Sequence, residues 1–389
     1  MLKKIVFLIL AGHILSFCQR TDTLNMNGWS DAESVKHLLM YAQSNNLSYF
    51  SQYHLYDARS KGDIYSSKFK KRTGEDLFIY GLDFYYATGT YYDSEYKATN
   101  RKNIISIVKK MWRENKAIPS FSWHLENPYV PTGFNNQMGC RYRTSKKIPD
   151  YPKEHRYVIK EILYGSGDRC GYGRFLPEDT STFVYANPSE WFDARTREVG
   201  DIIKELVDDY GHPIPILFRL WHEMDDNWMW WGKKSVSAED YKKFFILTQK
   251  KIMNYAPSAQ ILWGYGPDSH WNNENEFMSR YPGDEFVDII GYDDYELADP
   301  QMFERELDFA RMVSAIAKKH GKIAALFESA NKIQVSADNY YATLLYPLLA
   351  DSLVHLGLVQ IWGSGKFENE LQYQDRRDFL NQNFIIKVK

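Results

Sequence analysis

The stretch Leu217–Gly232, LFRLWHEMDDNWMWWG, sets one histidine, one glutamate and two aspartates among four tryptophans. A second glutamate, Glu328, follows the apolar run KIAALF. Carboxyl groups beside indole rings suit sugar chemistry, because the CH faces of a sugar ring stack on π faces. Two acids across one glycosidic bond are the parts for hydrolysis: one protonates the leaving oxygen, the other attacks the anomeric carbon or activates water. Taken singly, Glu223 also fits a salt bridge, and Glu328 fits a helix cap or an Arg partner. Taken jointly, with His222 and Trp beside one of them, the catalytic reading is better. HEMDD falls short of the zincin pattern, since Asp226 stands where HExxH needs its second histidine. His124, His222 and His270 lie near strand ends and are the histidines a metal could meet. The chain has no close-spaced Cys/His set, no G-x-S-x-G and no phosphate loop, so the expectation is no metal and no organic cofactor.

Positioning these groups requires strand ends. Short apolar runs bounded by turn residues predict strands at Ser48–Leu55, Leu77–Tyr86, Ile118–Leu125, Ile214–His222, Gln260–Tyr265, Val287–Tyr295, Ile323–Glu328 and Leu358–Trp362. Helical periodicity is clearest over Asn103–Asn115, Ala194–Tyr210, Ala238–Tyr255, Met302–His320 and Ala337–Leu349. Ser237–Asp240 approximates a capping box, and Pro257 and Gly321 punctuate helix ends. The alternation predicts an α/β fold, a single (β/α)8 TIM barrel. Glu223 and Glu328 then face each other from strands four and seven, on the carboxyl-end rim where barrels carry catalytic groups. The irregular segment Glu126–Glu190 is a long loop after strand 3 on that same rim, of a length that is functional or disordered.

Among 389 residues, 44% are hydrophobic and 25% charged, an ordinary globular balance, and aromatics reach 16% with 29 Tyr and 11 Trp. A net charge of -2 offers no electrostatic case for nucleic acid or an anionic membrane surface. Residues 1–18, opening MLKKIVFLIL, read as an export signal whose apolar run is too short to span a bilayer. Leu15-Ser16-Phe17-Cys18 resembles a lipoprotein cleavage site with Cys18 as the lipidated residue, although Phe17 replaces the usual small residue. The plain alternative is a cleaved signal with Cys18 a bystander. Cys140 and Cys170 share one segment of an exported chain, which favours a disulfide worth roughly 3–4 kcal/mol over two unrelated thiols. Residues 25–389 read as one catalytic domain.

The stretch FRLWHEMDDNWMWWG resembles the acid/base motif of glycoside hydrolase family 26, mainly β-mannanases, at Arg219, His222, Glu223, Met224, Trp228, Trp230, Trp231 and Gly232. GLDFYY (Gly81–Tyr86), SWHLENP (Ser122–Pro128), IIGYDDY (Ile289–Tyr295), LFESA (Leu326–Ala330) and QIWG (Gln360–Gly363) follow in the expected order. The resemblance implies a (β/α)8 barrel that cleaves with retention. Glu223 would be the general acid/base and Glu328 the nucleophile. His222 and His124 would bind sugar, Tyr295 would hydrogen-bond the nucleophile, and Trp228 and Trp362 would be stacking platforms. Asp293 would line the rim. Retention needs the two carboxyls roughly 5–5.5 Å apart. Glu223 should hold its proton near neutral pH, helped by the nucleophile's charge and apolar neighbours.

Three features depart from the family pattern or extend it. Asp225-Asp226 replace the usual Asn-Gly. Gly-Ser-Gly follows Trp362 where many mannanases carry Arg and Asn, which leaves the sugar contacts on the leaving-group side open. The loop Glu126–Glu190 is expected to wall one end of the cleft and favour short products from a chain end. The leading expectation is an exported, monomeric hydrolase of β-1,4-mannan or manno-oligosaccharides, sited in the periplasm or on the outer membrane. The alternatives are the same barrel acting on β-1,3-xylan or mixed-linkage glucan, a non-catalytic glycan-binding lipoprotein, and a metal-dependent hydrolase.

Overall fold

The computed structural model describes residues 30–53, 55–88, 94–125, 158–165, 188–225, 229–329, 339–362 and 370–386. Eight strands, β1 (Ser48–Tyr53), β2 (Ile79–Asp83), β3 (Ile118–Ser122), β4 (Ile216–Arg219), β5 (Ile261–Tyr265), β6 (Ile289–Asp293), β7 (Ile323–Glu328) and β8 (Leu358–Ile361), pair in sequence order, all parallel. β1 pairs with both β2 and β8, which closes the barrel. A short β9 (Ile385–Ile386) adds to the foot of β1. The strands are buried on both faces, which is why their sequences read as continuous apolar runs rather than as alternation.

All eight predicted strands are present, each trimmed at one or both ends except β7. β4 ends at Arg219, short of the predicted His222, because the backbone turns sharply there. Ala238–Tyr255 matches its prediction, and its N-cap is Ser237, which accepts from Asp240 N–H. The helix predicted at Ala194–Tyr210 runs instead over Pro188–Lys204. Its C-terminal residues form a turn closed by a Val207–Pro213 bridge. The helix predicted from Asn103 begins earlier, at Ser94. The segment expected to be a loop after β3 contains a helix, Val158–Tyr164. Residues 126–157 and 166–187, with Cys140 and Cys170, lie outside the described residues, as do residues 1–29 with Cys18.

Helix Ala32–Ser44 escaped the sequence reading, although Asp31 and Ser34 form a reciprocal cap and Val35, Leu39 and Ala42 mark one buried face. It closes the barrel's amino end. Its Gln43 accepts from Ala324 N–H, and Ala32 N–H donates to Gln260.

Three glycines make room at the carboxyl end of the barrel. A Cβ at Gly264, Gly266 or Gly291 would lie 2.5–2.9 Å from the ring of Phe327. Phe327 is the extra residue of a β-bulge: Tyr292 pairs with Leu326, but Asp293 pairs with Glu328. The bulge turns the phenyl ring into the barrel and re-aims the next residue, Glu328, at the rim.

Candidate active site

The site is built at the ends of β2, β3, β4, β6, β7 and β8. His222 is fully buried and flanked by two residues in the left-handed region, Trp221 at φ 49° and Glu223 at φ 53°. Such a conformation costs an L-residue roughly 1–2 kcal/mol, so neighbours must impose it. They do so by hydrogen bonds. The indole N–H of Trp231 donates to His222 O at 2.7 Å, Tyr241 OH donates to Trp221 O at 2.8 Å, and Glu223 N–H donates to Gly266 O at 2.9 Å. The strained turn sets His222 against His124 and places Glu223 just past the carboxyl end of β4.

This explains most of the indole in the motif. Trp221, Trp230 and Trp231 are buried and pack on one another, with centroids 5.1–5.8 Å apart. They are the bed of the turn and not a sugar platform. Trp231→Phe should leave His222 O buried without its donor. We expect a loss of about 1–3 kcal/mol in chemical denaturation. A kcat that falls more than KM rises would report the displaced turn.

Glu328 is 3% exposed and held at both oxygens. Arg219 donates to Oε1, and Tyr295 OH donates to Oε2 at 2.7 Å. Arg219 also donates to the fully buried Asp293 through its other terminal nitrogen. Burial opposes the guanidinium's charge, but Asp293, Tyr53 and Glu223 outweigh it and hold the proton more firmly than usual. Burial pushes the Asp293 carboxyl well up, Arg219 pulls it back, and the charge of Glu223 adds to the rise. Burial likewise raises the Tyr295 phenol, reinforced by Glu223 and Asp293, so it remains a donor to Glu328. The charge of Glu223 acts on Arg219, Asp293 and Tyr295, so Glu223 belongs to the same cluster as Glu328.

A second chain of contacts runs across the rim. Asp83, at the end of β2, accepts from Ser122 Oγ at 2.9 Å and from Tyr85 N–H at 2.8 Å, and bonds Nδ1 of His124. Burial opposes the Asp83 charge, but His124 and these donors hold the carboxyl below its usual range. An ionised Asp83 assigns the His124 proton to Nδ1. His124 Nε2 then meets His222 Nε2 at 3.1 Å, and only one of the two can carry a proton. Trp362, half-buried, packs at 5.9 Å from His124 and 4.9 Å from Tyr53, leaving it at the cleft wall.

Thus the structure brings together His124, His222, Glu223, Asp293, Tyr295, Glu328 and Trp362. Trp228 and Asp226 lie outside the described residues. The sequence reading assigned no role to Asp83, Arg219 or Tyr53, although Asp83 and Arg219 lie inside the quoted motifs. Asp225 turns inward and accepts from Asp268 N–H at 2.7 Å, pinning the loop after β5. Ligand atoms of His222, Asp293 and Glu328 lie within 4.8 Å of one another, a spacing that a cation could bridge. Arg219 already supplies positive charge to both of those carboxylates.

The fold and rim define the class: a closed (β/α)8 barrel with two glutamates, two histidines and an arginine-held carboxylate at its carboxyl end. Residues 185–345 match the family model of glycosyl hydrolase family 26. That matched segment takes in β4 to β7 and, with them, both Glu223 and Glu328. It is 33% identical over 124 residues to a mannan endo-1,4-beta-mannosidase of Bifidobacterium adolescentis, covering 30% of this chain and 12% of that protein. It is 27% identical over 236 residues to the Bacillus subtilis enzyme of the same name, covering 59% of this chain and 53% of the relative. The chain therefore spans about half or less of the length of these curated relatives. The fold matches GH26C from Muricauda sp. MAR_2010_75 with TM-score 0.73, 22% identity and 92% coverage of both chains. It also matches a GH26 beta-mannanase from Bacteroides ovatus with TM-score 0.69 and 20% identity, over 92% of this chain and 95% of that one.

Proposed function

We propose that this chain is a retaining β-mannanase, with Glu328 as nucleophile and Glu223 as acid/base. The observation that carries this reading is the cradle of Glu328. Arg219 and Tyr295 hold its two oxygens at the rim beside Glu223, and a carboxylate so fixed is built to attack rather than to bridge. Each oxygen has two lone pairs, so each donor leaves one available.

In the first step Glu328 attacks the anomeric carbon while Glu223 gives its proton to the departing glycosidic oxygen. The C–O bond breaks, and a glycosyl ester forms on Glu328. The negative charge on Glu328 disappears, and Arg219 keeps its pairing with Asp293. Water then enters, Glu223 takes its proton, the oxygen attacks the same carbon, and the ester bond breaks to return the carboxylate. Two inversions give net retention. His222 and His124 hold sugar hydroxyls, and Trp362 supplies a stacking face at the wall.

Mannan as substrate is supported by the names of the curated relatives and by the family match. The test is product analysis over time with β-mannan, β-1,3-xylan and mixed-linkage glucan supplied separately. Manno-oligosaccharides alone are expected, and early product lengths separate internal cleavage from release at a chain end. Cleavage of only another glycan would replace the substrate and keep the chemistry. No cleavage of any would sink the reading. The same proposal has the protein exported and anchored through lipid on Cys18. Metabolic labelling with palmitate, lost in Cys18→Ala, reads out the anchor.

A further inference from the structure

Behind the nucleophile lies a second pair of acids that the mechanism does not use. Asp294 follows β6, and Glu306 sits in the first turn of helix Phe303–His320. Both are fully buried. Asp294 Oδ1 accepts from Leu297 N–H at 2.8 Å, and Glu306 Oε1 accepts from Arg305. Asp294 Oδ2 and Glu306 Oε2 are both buried without a donor, and the two carboxyls lie against each other. Two carboxylate oxygens cannot bond without a proton between them. Arg305 is the cation facing the pair, and it is also tied to Ser269 O. The other titratable groups facing the pair are the phenols of Tyr292 and Tyr340, both of which burial keeps protonated.

The pair is coupled to the site through the main chain. Asp294 N–H donates to Glu328 O at 2.8 Å, and Asp294 lies between Asp293, which holds Arg219, and Tyr295, which holds Glu328. We propose that Asp294 and Glu306 share one proton in the folded protein, and that this shared proton clamps the end of β6 to the following helix so that Tyr295 and Asp293 stay in register with Glu328. The positioning role rests on the assignment of Glu328 as nucleophile; the shared proton does not.

Burial raises the proton affinity of both groups. The sign follows: the contribution of the pair to stability is complete below the ordinary carboxylate range and is lost as pH rises through the pair's raised range. Glu306→Gln is the matching isostere, since its carbonyl can accept from Arg305 while its N–H replaces the shared proton. The stability of this variant relative to wild type should climb with pH, by a few degrees of Tm per pH unit. Infrared spectra at neutral pH should show one protonated-carboxyl C=O stretch fewer in Glu306→Gln than in wild type. Glu306→Ala should lower kcat about tenfold or more with KM little changed, and Glu306→Gln should restore most of it. A Tm difference flat with pH, or identical carbonyl bands, would overturn the shared proton. A folded Glu306→Ala with wild-type kcat would overturn the positioning role. If wild type cleaved no glycan, the hydrolase reading would fail, while the Tm and infrared results would still decide the proton.

Discussion

Glu328→Ala is expected to abolish turnover of polymer and of aryl glycosides alike, whereas Glu223→Ala should lose polymer hydrolysis and keep the first step on an activated aryl glycoside. The asymmetry follows from the roles. Removing a nucleophile leaves nothing to attack the anomeric carbon, whatever the leaving group. Removing a general acid costs about a hundred- to ten-thousandfold where the leaving oxygen needs a proton, and far less where it is already a good leaving group. In Glu223→Ala the glycosyl ester should accumulate, because the same residue activates the incoming water. Azide, which needs no base, should then restore turnover and give a β-glycosyl azide. In Glu328→Ala azide should enter the vacated space and give the α-anomer. Steady aryl glycoside turnover by Glu328→Ala, or equal losses in both variants on that substrate, would remove the assignment.

Arg219→Met is expected to be nearly as damaging, and to damage stability as well. The Arg219 side chain is fully buried between Asp293, also fully buried, and Glu328, whose side chain is 4% exposed. Taking the cation away leaves two carboxyls in the barrel mouth without their shared partner. Breaking a buried pair by removing one member costs about 3–5 kcal/mol. Both acids would respond by taking up protons, and a protonated Glu328 cannot attack. Thus kcat/KM should fall at least about a hundredfold, and its acid limb should move to higher pH. Arg219→Lys should rescue little, because one ammonium cannot reproduce a planar fork that reaches two carboxyls at once. Urea denaturation with pH–rate profiles of the two variants checks both parts. A stable Arg219→Met variant with a wild-type acid limb would show that the cradle does not control Glu328.

Much of this protein is legible along the chain for a simple reason. A parallel barrel strand is buried on both faces, so LFRL, IIGY and IAALF announce themselves as apolar runs. A Glu at or just past the end of such a run emerges at the carboxyl rim, which makes Glu223 and Glu328 candidates from the sequence alone. The helix Ala238–Tyr255 was equally plain, because its cap and periodicity agree. The meaning of the tryptophans was not legible. The same WMWW could be platform or packing, and only the contacts of Trp221, Trp230 and Trp231 assign them to the bed beneath His222.

What the sequence by itself determined is the set of parts: barrel strands, two glutamates at or just past strand ends, and histidines and aromatics beside them. These are local properties, written in residue type and period. The tertiary structure alone decided how those groups are set. Arg219 joins Asp293 to Glu328 across residues far apart in the chain, Asp83 orients His124 and through it His222, and Asp294 meets Glu306 behind the rim. Charge in a buried site depends on which partners converge in space, and convergence across a closed barrel leaves no periodic trace in the sequence.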